Sequence, residues 1–201
     1  MRIKTILSLL FLSCAAIYGQ TATDYFLASK KSAELKDYQA AILNYDLAIK
    51  LNPNDSSFYF YRGKSKDALK DFKGAILDYD MAIELSSAYF QAYNNRATEK
   101  FALNNYEGAV LDYDKAIKLN PRDSIVYSNR GAAKHALNDY NGAILDYNKP
   151  IEINPLSRNA YFNRALSLRA LGQNDASCVD MRKAAELGST QAIDVLKNYC
   201  K

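Results

Sequence analysis

Apolar positions recur along this chain with the period of paired helices. Between residues 106 and 119, Val110, Tyr113, Ala116 and Ile117 fall at helical spacing and predict a helix over Tyr106 to Leu119. Ala92 to Leu103 predicts the helix before it, and Asn104-Asn105 the turn between them. Asn120-Pro121 stops the second helix, because proline has no N–H to donate and biases the preceding residue away from helix. Asn52-Pro53 and Asn154-Pro155 close other helices in the same way. Tyr38, Phe72, Tyr106 and Tyr140 stand 34 residues apart, as do Tyr45, Tyr79, Tyr113 and Tyr147, and Tyr25, Tyr59, Tyr93, Tyr127 and Tyr161. Ala41, Ala75, Ala109 and Ala143 follow the same period, each succeeded by Ile or Val. Five units therefore run without insertion: 22–55, 56–89, 90–123, 124–157 and 158–191. A single helix pair cannot bury its apolar face alone, so the units must stack into an all-α solenoid of helix-turn-helix repeats. The pairs Gly74-Ala75, Gly108-Ala109 and Gly142-Ala143 open second helices, and close approach of the partner helix is the expected reason for their small size.

Further columns follow the same register. Arg62, Arg96, Arg130 and Arg164 each precede an aspartate by 16 residues: Asp78, Asp112, Asp146 and Asp180. The first unit has Ala28 and Asn44 instead, so arginine and aspartate come and go together. That joint gain and loss predicts structural ion pairs between the two helices of a unit, with bidentate geometry the strong form. Twelve of the 16 tyrosines occupy the three aromatic columns, which makes them packing residues with their hydroxyls at the rim. Pro150 stands where Ala48, Ala82, Ala116 and Ala184 stand in the other units. A proline inside a helix costs roughly 3 kcal/mol unless the helix kinks, so a bend or an early end is expected near Asn148. The fifth unit loses the pattern in its second half, and a last helix, within 189–200, is expected to cap the stack.

The length of 34, the aromatic opening each first helix, the small residues opening each second one and the closing prolines together resemble the tetratricopeptide-repeat family. Tyr127 to Lys134 and Gly142 to Tyr147 are similar to a variant common among its bacterial members. The resemblance covers nearly all of residues 20–201. It implies a right-handed α-solenoid whose concave face, made mainly by first helices, binds peptides or proteins without catalysis and without a cofactor. In that frame the groove residues that vary between units are Tyr61, Lys64, Asn95, Thr98, Phe101, Asn129, His135, Asn163 and Arg169. The repeating Asn95, Asn129 and Asn163 are of special interest, since a side-chain amide both donates to and accepts from an extended backbone. The family's two-carboxylate clamp needs a base where this chain has Phe26, Phe60, Asn94, Ser128 and Phe162, so that specialisation is not expected.

Ahead of the repeats, Met1-Arg2-Ile3-Lys4 and the uncharged run Ile6 to Ile17 have the form of a secretory signal peptide over residues 1–19. The run is too short for a membrane span, which needs about 20 apolar residues. Cleavage after Gly19 is one route. The other uses Cys14, whose preceding Phe11-Leu12-Ser13 loosely resembles a lipoprotein box and would leave a lipid anchor. Either way the chain is expected outside the cytoplasm, periplasmic or secreted in the first case and an envelope lipoprotein in the second. Cys178 and Cys200 flank the turn at Gly188, and with Cys14 removed they form an even pair, so a disulfide is expected between them.

Composition narrows the function. The chain of 201 residues is 49% hydrophobic and 24% charged, the balance of a folded protein. Its net charge of +4 falls to about +2 without Arg2 and Lys4, which opposes a nucleic-acid partner. One histidine rules out a His-rich metal site within a single chain. No nucleophile-base set, Gly-rich phosphate loop or insertion between repeats offers a place for catalysis. The expected role is a protein-binding scaffold.

Overall fold

The computed structural model describes residues 19–200. Apart from Gly19, the expected signal segment lies outside the described residues, as does Cys14. Eleven helices follow in order: α1 (Ala22–Glu34), α2 (Tyr38–Leu51), α3 (Ser56–Ala68), α4 (Phe72–Leu85), α5 (Phe90–Ala102), α6 (Tyr106–Leu119), α7 (Ser124–Ala136), α8 (Tyr140–Ile153), α9 (Arg158–Ala170), α10 (Asn174–Glu186) and α11 (Thr190–Tyr199). There is no strand among the described residues. The first and second helices of successive units begin 34 residues apart, and α5 starts two residues before the expected Ala92.

Each helix packs on the next, and first helices also meet across units, α1 with α3, α5 with α7 and α7 with α9. The stack is therefore an α-solenoid with first helices crowded along its inner side. Alanines at 41, 75, 109 and 143, and at 48, 82 and 116, have no exposed surface. Their small side chains let the helices approach, and the rings of Tyr45, Tyr79, Tyr113 and Tyr147, 2% exposed or less, fill the space between them. The hydroxyls of this column are thus inside and not at the rim, because the neighbouring unit covers what a single unit would leave open.

In the Gly-Ala openings the alanine lies at the close approach between helices and the glycine under the helix cap. Asp71, Asn105 and Asp139 cap the second helices by accepting from the N–H groups of Gly74, Gly108 and Gly142 at 2.9–3.0 Å. A Cβ on any of those glycines would crowd that capping side chain, which would have to shift, and in the first unit the same cap is made over Ala40, by Asp37 at 3.1 Å. Close helix approach also falls on Gly63 and Gly131, where a Cβ would stand 2.8 Å from the rings of Tyr79 and Tyr147.

Pro150 neither ends α8 nor shortens it: the helix keeps the 14 residues of α2, α4 and α6. Pro150 is buried, and its carbonyl accepts from Asn154 N–H at 2.9 Å as Ala48, Ala82 and Ala116 do for Asn52, Ser86 and Asn120. The last turn is thus kept although residue 150 has no N–H to donate. At the far end α11 lays Ala192, Val195 and Leu196 against Met181 and Ala184 of α10. Cys178 and Cys200 come to a Cα separation of 5.6 Å, within the span of a disulfide.

Candidate functional site

Columns that repeat identically are tied up in the scaffold. Arg62 Nε and Nη2 donate to the Asp78 carboxylate at 2.9 and 2.6 Å, and the same bidentate pair joins Arg96 to Asp112, Arg130 to Asp146 and Arg164 to Asp180. The third guanidinium nitrogen crosses into the preceding unit, reaching Asp46, Asp80, Asp114 and Asn148 at 2.5–2.7 Å. Lys66, Lys100 and Lys134 add a second cation to Asp78, Asp112 and Asp146. Each arginine also lies 5.5–5.6 Å from the ring of Tyr59, Tyr93, Tyr127 or Tyr161. One guanidinium therefore bridges two helices of its own unit and one of the unit before. The sequence held the signal for the cross-unit half, since Asp46, Asp80 and Asp114 are themselves 34 apart.

Residues that vary between units line the inner side instead. Between α1 and α3 lies a cavity of about 460 Å³, with Tyr38, Tyr45 and Tyr61 among its walls and Lys30, Lys64 and Asp67 at its edge. Lys30 and Lys64 approach the Tyr61 ring from 5.3 and 5.8 Å. Further along, Phe101, His135, Tyr147, Asn163 and Leu166 surround about 260 Å³. Asn129 and Asn163 share an adjoining crevice of about 350 Å³ with Ser128 and Asn159. Asn95 stands between these stretches beside the Tyr79 hydroxyl, and Thr98 shares a hydrogen bond of 3.2 Å with Tyr113. Arg169 is the exception among the sequence candidates: its guanidinium lies 4.8 Å from the Tyr199 ring, against the last helix and beside Cys178 and Cys200.

Burial governs the titratable groups here. Desolvation raises the tyrosine column well above the ordinary phenol range, so Tyr45, Tyr79 and Tyr147 stay neutral donors. His135 is held below the usual imidazole range by burial, and its Nδ1 shares a 2.9 Å hydrogen bond with Ser167. Glu99 is 3% exposed, and burial together with the Asp67 carboxyl group pushes it up to about 7. Neither Asp67 nor Glu99 was among the groove candidates from sequence. The outer side holds a second feature absent from them: Leu43, Leu77, Leu111, Leu145 and Val179 form a column on the second helices, each more than 60% exposed.

Three family models match the chain, two described as "Tetratricopeptide repeat" over residues 33–90 and 159–187 and one as "TPR repeat" over 99–138. No curated protein matches in sequence. Among solved structures, MamA superposes with a TM-score of 0.79 at 23% identity, over 89% of this chain and 94% of that one. YrrB, described as a TPR protein with an unusual peptide-binding site, gives 0.82 at 16% identity, over 93% and 97%. Part of a TPR repeat-containing protein of Cytophaga hutchinsonii gives 0.76 at 18% identity, over 94% and 75%. At these identities the likeness is one of fold.

Proposed function

Because the chain belongs to the tetratricopeptide-repeat family, we propose that it is a non-catalytic scaffold of the bacterial cell envelope that takes an extended peptide or protein segment into the groove of its first helices. The observation that carries this reading is the division of labour between columns. Arginine, aspartate, alanine and tyrosine repeat where they hold the stack, whereas the groove face changes from unit to unit at Asp67, Phe101 and His135 and carries beside them the amide column of Asn95, Asn129 and Asn163, which replaces the Tyr61 of the second unit. Packing does not dictate those residues, so a ligand is free to do so. The peptide-binding site ascribed to YrrB, which shares the fold, is in keeping with it.

Export rests on the sequence of residues 1–19, with its two early cations and uncharged run. An oxidising compartment would close the Cys178–Cys200 disulfide, whose partners already stand at the right separation. The Phe11-Leu12-Ser13-Cys14 run supports a second arrangement, in which the same scaffold is tethered to a membrane by a lipid on Cys14. No helix among the described residues is long and apolar enough to cross a membrane.

Crosslinking in the native envelope followed by affinity capture tests the proposal, with Asn95→Ala, Asn129→Ala and Asn163→Ala combined as the control. A partner recovered by the wild-type chain and lost from the equally helical variant is the expected result. Equal recovery by both removes the groove reading.

A further inference from the structure

Hydrogen-bond donors without an acceptor gather at the first-unit end of the groove. The 460 Å³ cavity between α1 and α3 has Tyr45 of α2 at its floor, 1% exposed, and the rings of Tyr38 and Tyr61 as walls. Lys30 of α1 and the exposed Lys64 of α3 stand at its rim. Both ammonium groups converge on one ring, since Lys30 Nζ lies 5.3 Å and Lys64 Nζ 5.8 Å from the centre of Tyr61. A ring attracts an exposed cation by about 1 kcal/mol, but two cations sharing one ring also repel each other. Lys66, Lys100 and Lys134 are each paired with an aspartate. Lys30 and Lys64 form no ion pair among the described residues, although Glu34 and Asp67 line the same cavity.

The register explains why the Tyr45 hydroxyl is left without an acceptor. In the third unit the equivalent Tyr113 hydroxyl shares a 3.2 Å hydrogen bond with Thr98, and in the second Asn95 stands beside Tyr79. The counterparts of Thr98 and Asn95 around Tyr45 are Lys30 and Tyr61. An ammonium group donates and cannot accept. No hydrogen bond reaches the Tyr45 hydroxyl among the described residues, and a buried donor left unpaired is costly. Packing does not require lysine at this register position, because the later units carry Thr98, Ala132 and Leu166 there.

Building on the groove reading above, we propose that Lys30, Lys64 and Tyr45 form a subsite for the carboxylate of an acidic side chain, glutamate or aspartate, presented by the bound partner. The carboxylate oxygens accept from the two ammonium groups and the phenol, and the methylene stem lies against the rings of Tyr38 and Tyr61. An acceptor is what the three donors lack, and a negative charge between the two cations offsets their repulsion. The floor is reached only from a stem. A terminal carboxylate is bonded directly to its Cα and would stay at the rim, so the charge belongs to a side chain. Lys30 and Lys64 stand four places after Phe26 and Phe60, so the subsite is not built on the positions where the family's two-carboxylate clamp needs its base.

The test titrates the mature chain, ¹³C-labelled at lysine Cε and in the tyrosine rings, with Ac-Ala-Glu-Ala-NH2 and its neutral counterpart Ac-Ala-Gln-Ala-NH2. The glutamate peptide should move the Lys30, Lys64 and Tyr45 resonances together, and the glutamine peptide should bind at least about tenfold more weakly. Lys30→Met combined with Lys64→Met should reduce the glutamate peptide to the level of the glutamine peptide with the helical signal retained. Tyr45→Phe, which keeps the ring, should weaken the glutamate peptide alone. Resonances unmoved at roughly 50 mM glutamate peptide, well above a millimolar Kd, overturn the subsite. Equal binding of the two peptides does the same, as does unchanged binding in the double lysine variant or in Tyr45→Phe. Tighter binding of Ac-Ala-Gln-Ala-OH, whose only carboxylate is terminal, overturns the assignment to a side chain. Partner capture by the asparagine column is read without these peptides, so the two readings fail separately.

Discussion

At position 99 a carboxyl group stands where other units place serine or alanine, and its effect on stability follows from where its proton sits. The unfolded chain releases that proton near the ordinary value of 4.5, whereas the folded chain holds it to about 7. Between those values the folded state binds more protons, so stability falls as pH rises across the window and is level above it. The loss amounts to at most about 3 kcal/mol. Urea unfolding between pH 4.5 and 8 should show this slope, and Glu99→Gln should flatten it. A variant that retains the wild-type slope would place the linkage elsewhere. Sequence alone did not expose this acid, because a glutamate in a helix reads as a solvated surface residue until the neighbouring unit is laid over it.

The helix pair is where sequence reading carried furthest. Proline, asparagine and the 34-residue columns marked the ends of second helices, and the paired gain and loss of Arg and Asp pointed to residues that the fold brings within 2.5–2.9 Å. The turns were less legible. Lys36 and Lys70 take left-handed backbone conformations, with φ of 63° and 62°, where Asn104, Asn138 and Gly172 do so in other units. Lysine gives no local hint of that geometry, and only the register identifies it. The early end expected at Pro150 did not follow, because the rule against proline in helices is local, whereas Pro150 is buried within a helix of full length. The two ends of each arginine should differ in energy. Asp112 is 4% exposed and holds both Arg96 and Lys100, so Asp112→Ala should cost about 3 kcal/mol. The cross-unit contact of Arg130 with the half-exposed Asp114 should be worth under about 1 kcal/mol in Asp114→Ala. Equal losses in the two variants, read by urea denaturation, would contradict this division.

Across the whole molecule, each unit touches only its neighbours, so damage at one end should stay there. The last helix covers Met181 and Ala184, and the cysteine pair, 22 residues apart, ties it down. With the disulfide formed, reduction or Cys200→Ser should lower the stability of that end by about 3 kcal/mol, seen as faster hydrogen exchange in α10 and α11 while α3 to α6 are unchanged. Exchange unaffected by reductant would mean that the thiols are free. The groove was legible only as a frame: register named the columns that face it, but not that Arg169 belongs to the capped end nor that an exposed leucine column runs along the outer side.

Those two sides offer the most direct test of the account. Hydrogen exchange measured on the mature chain with and without its captured partner should show protection along α3, α5, α7 and α9, centred on residues 61–67, 95–101, 129–135 and 163, with the second helices little changed. Protection confined to the second helices around Leu43, Leu77, Leu111 and Leu145 would contradict a groove-binding scaffold.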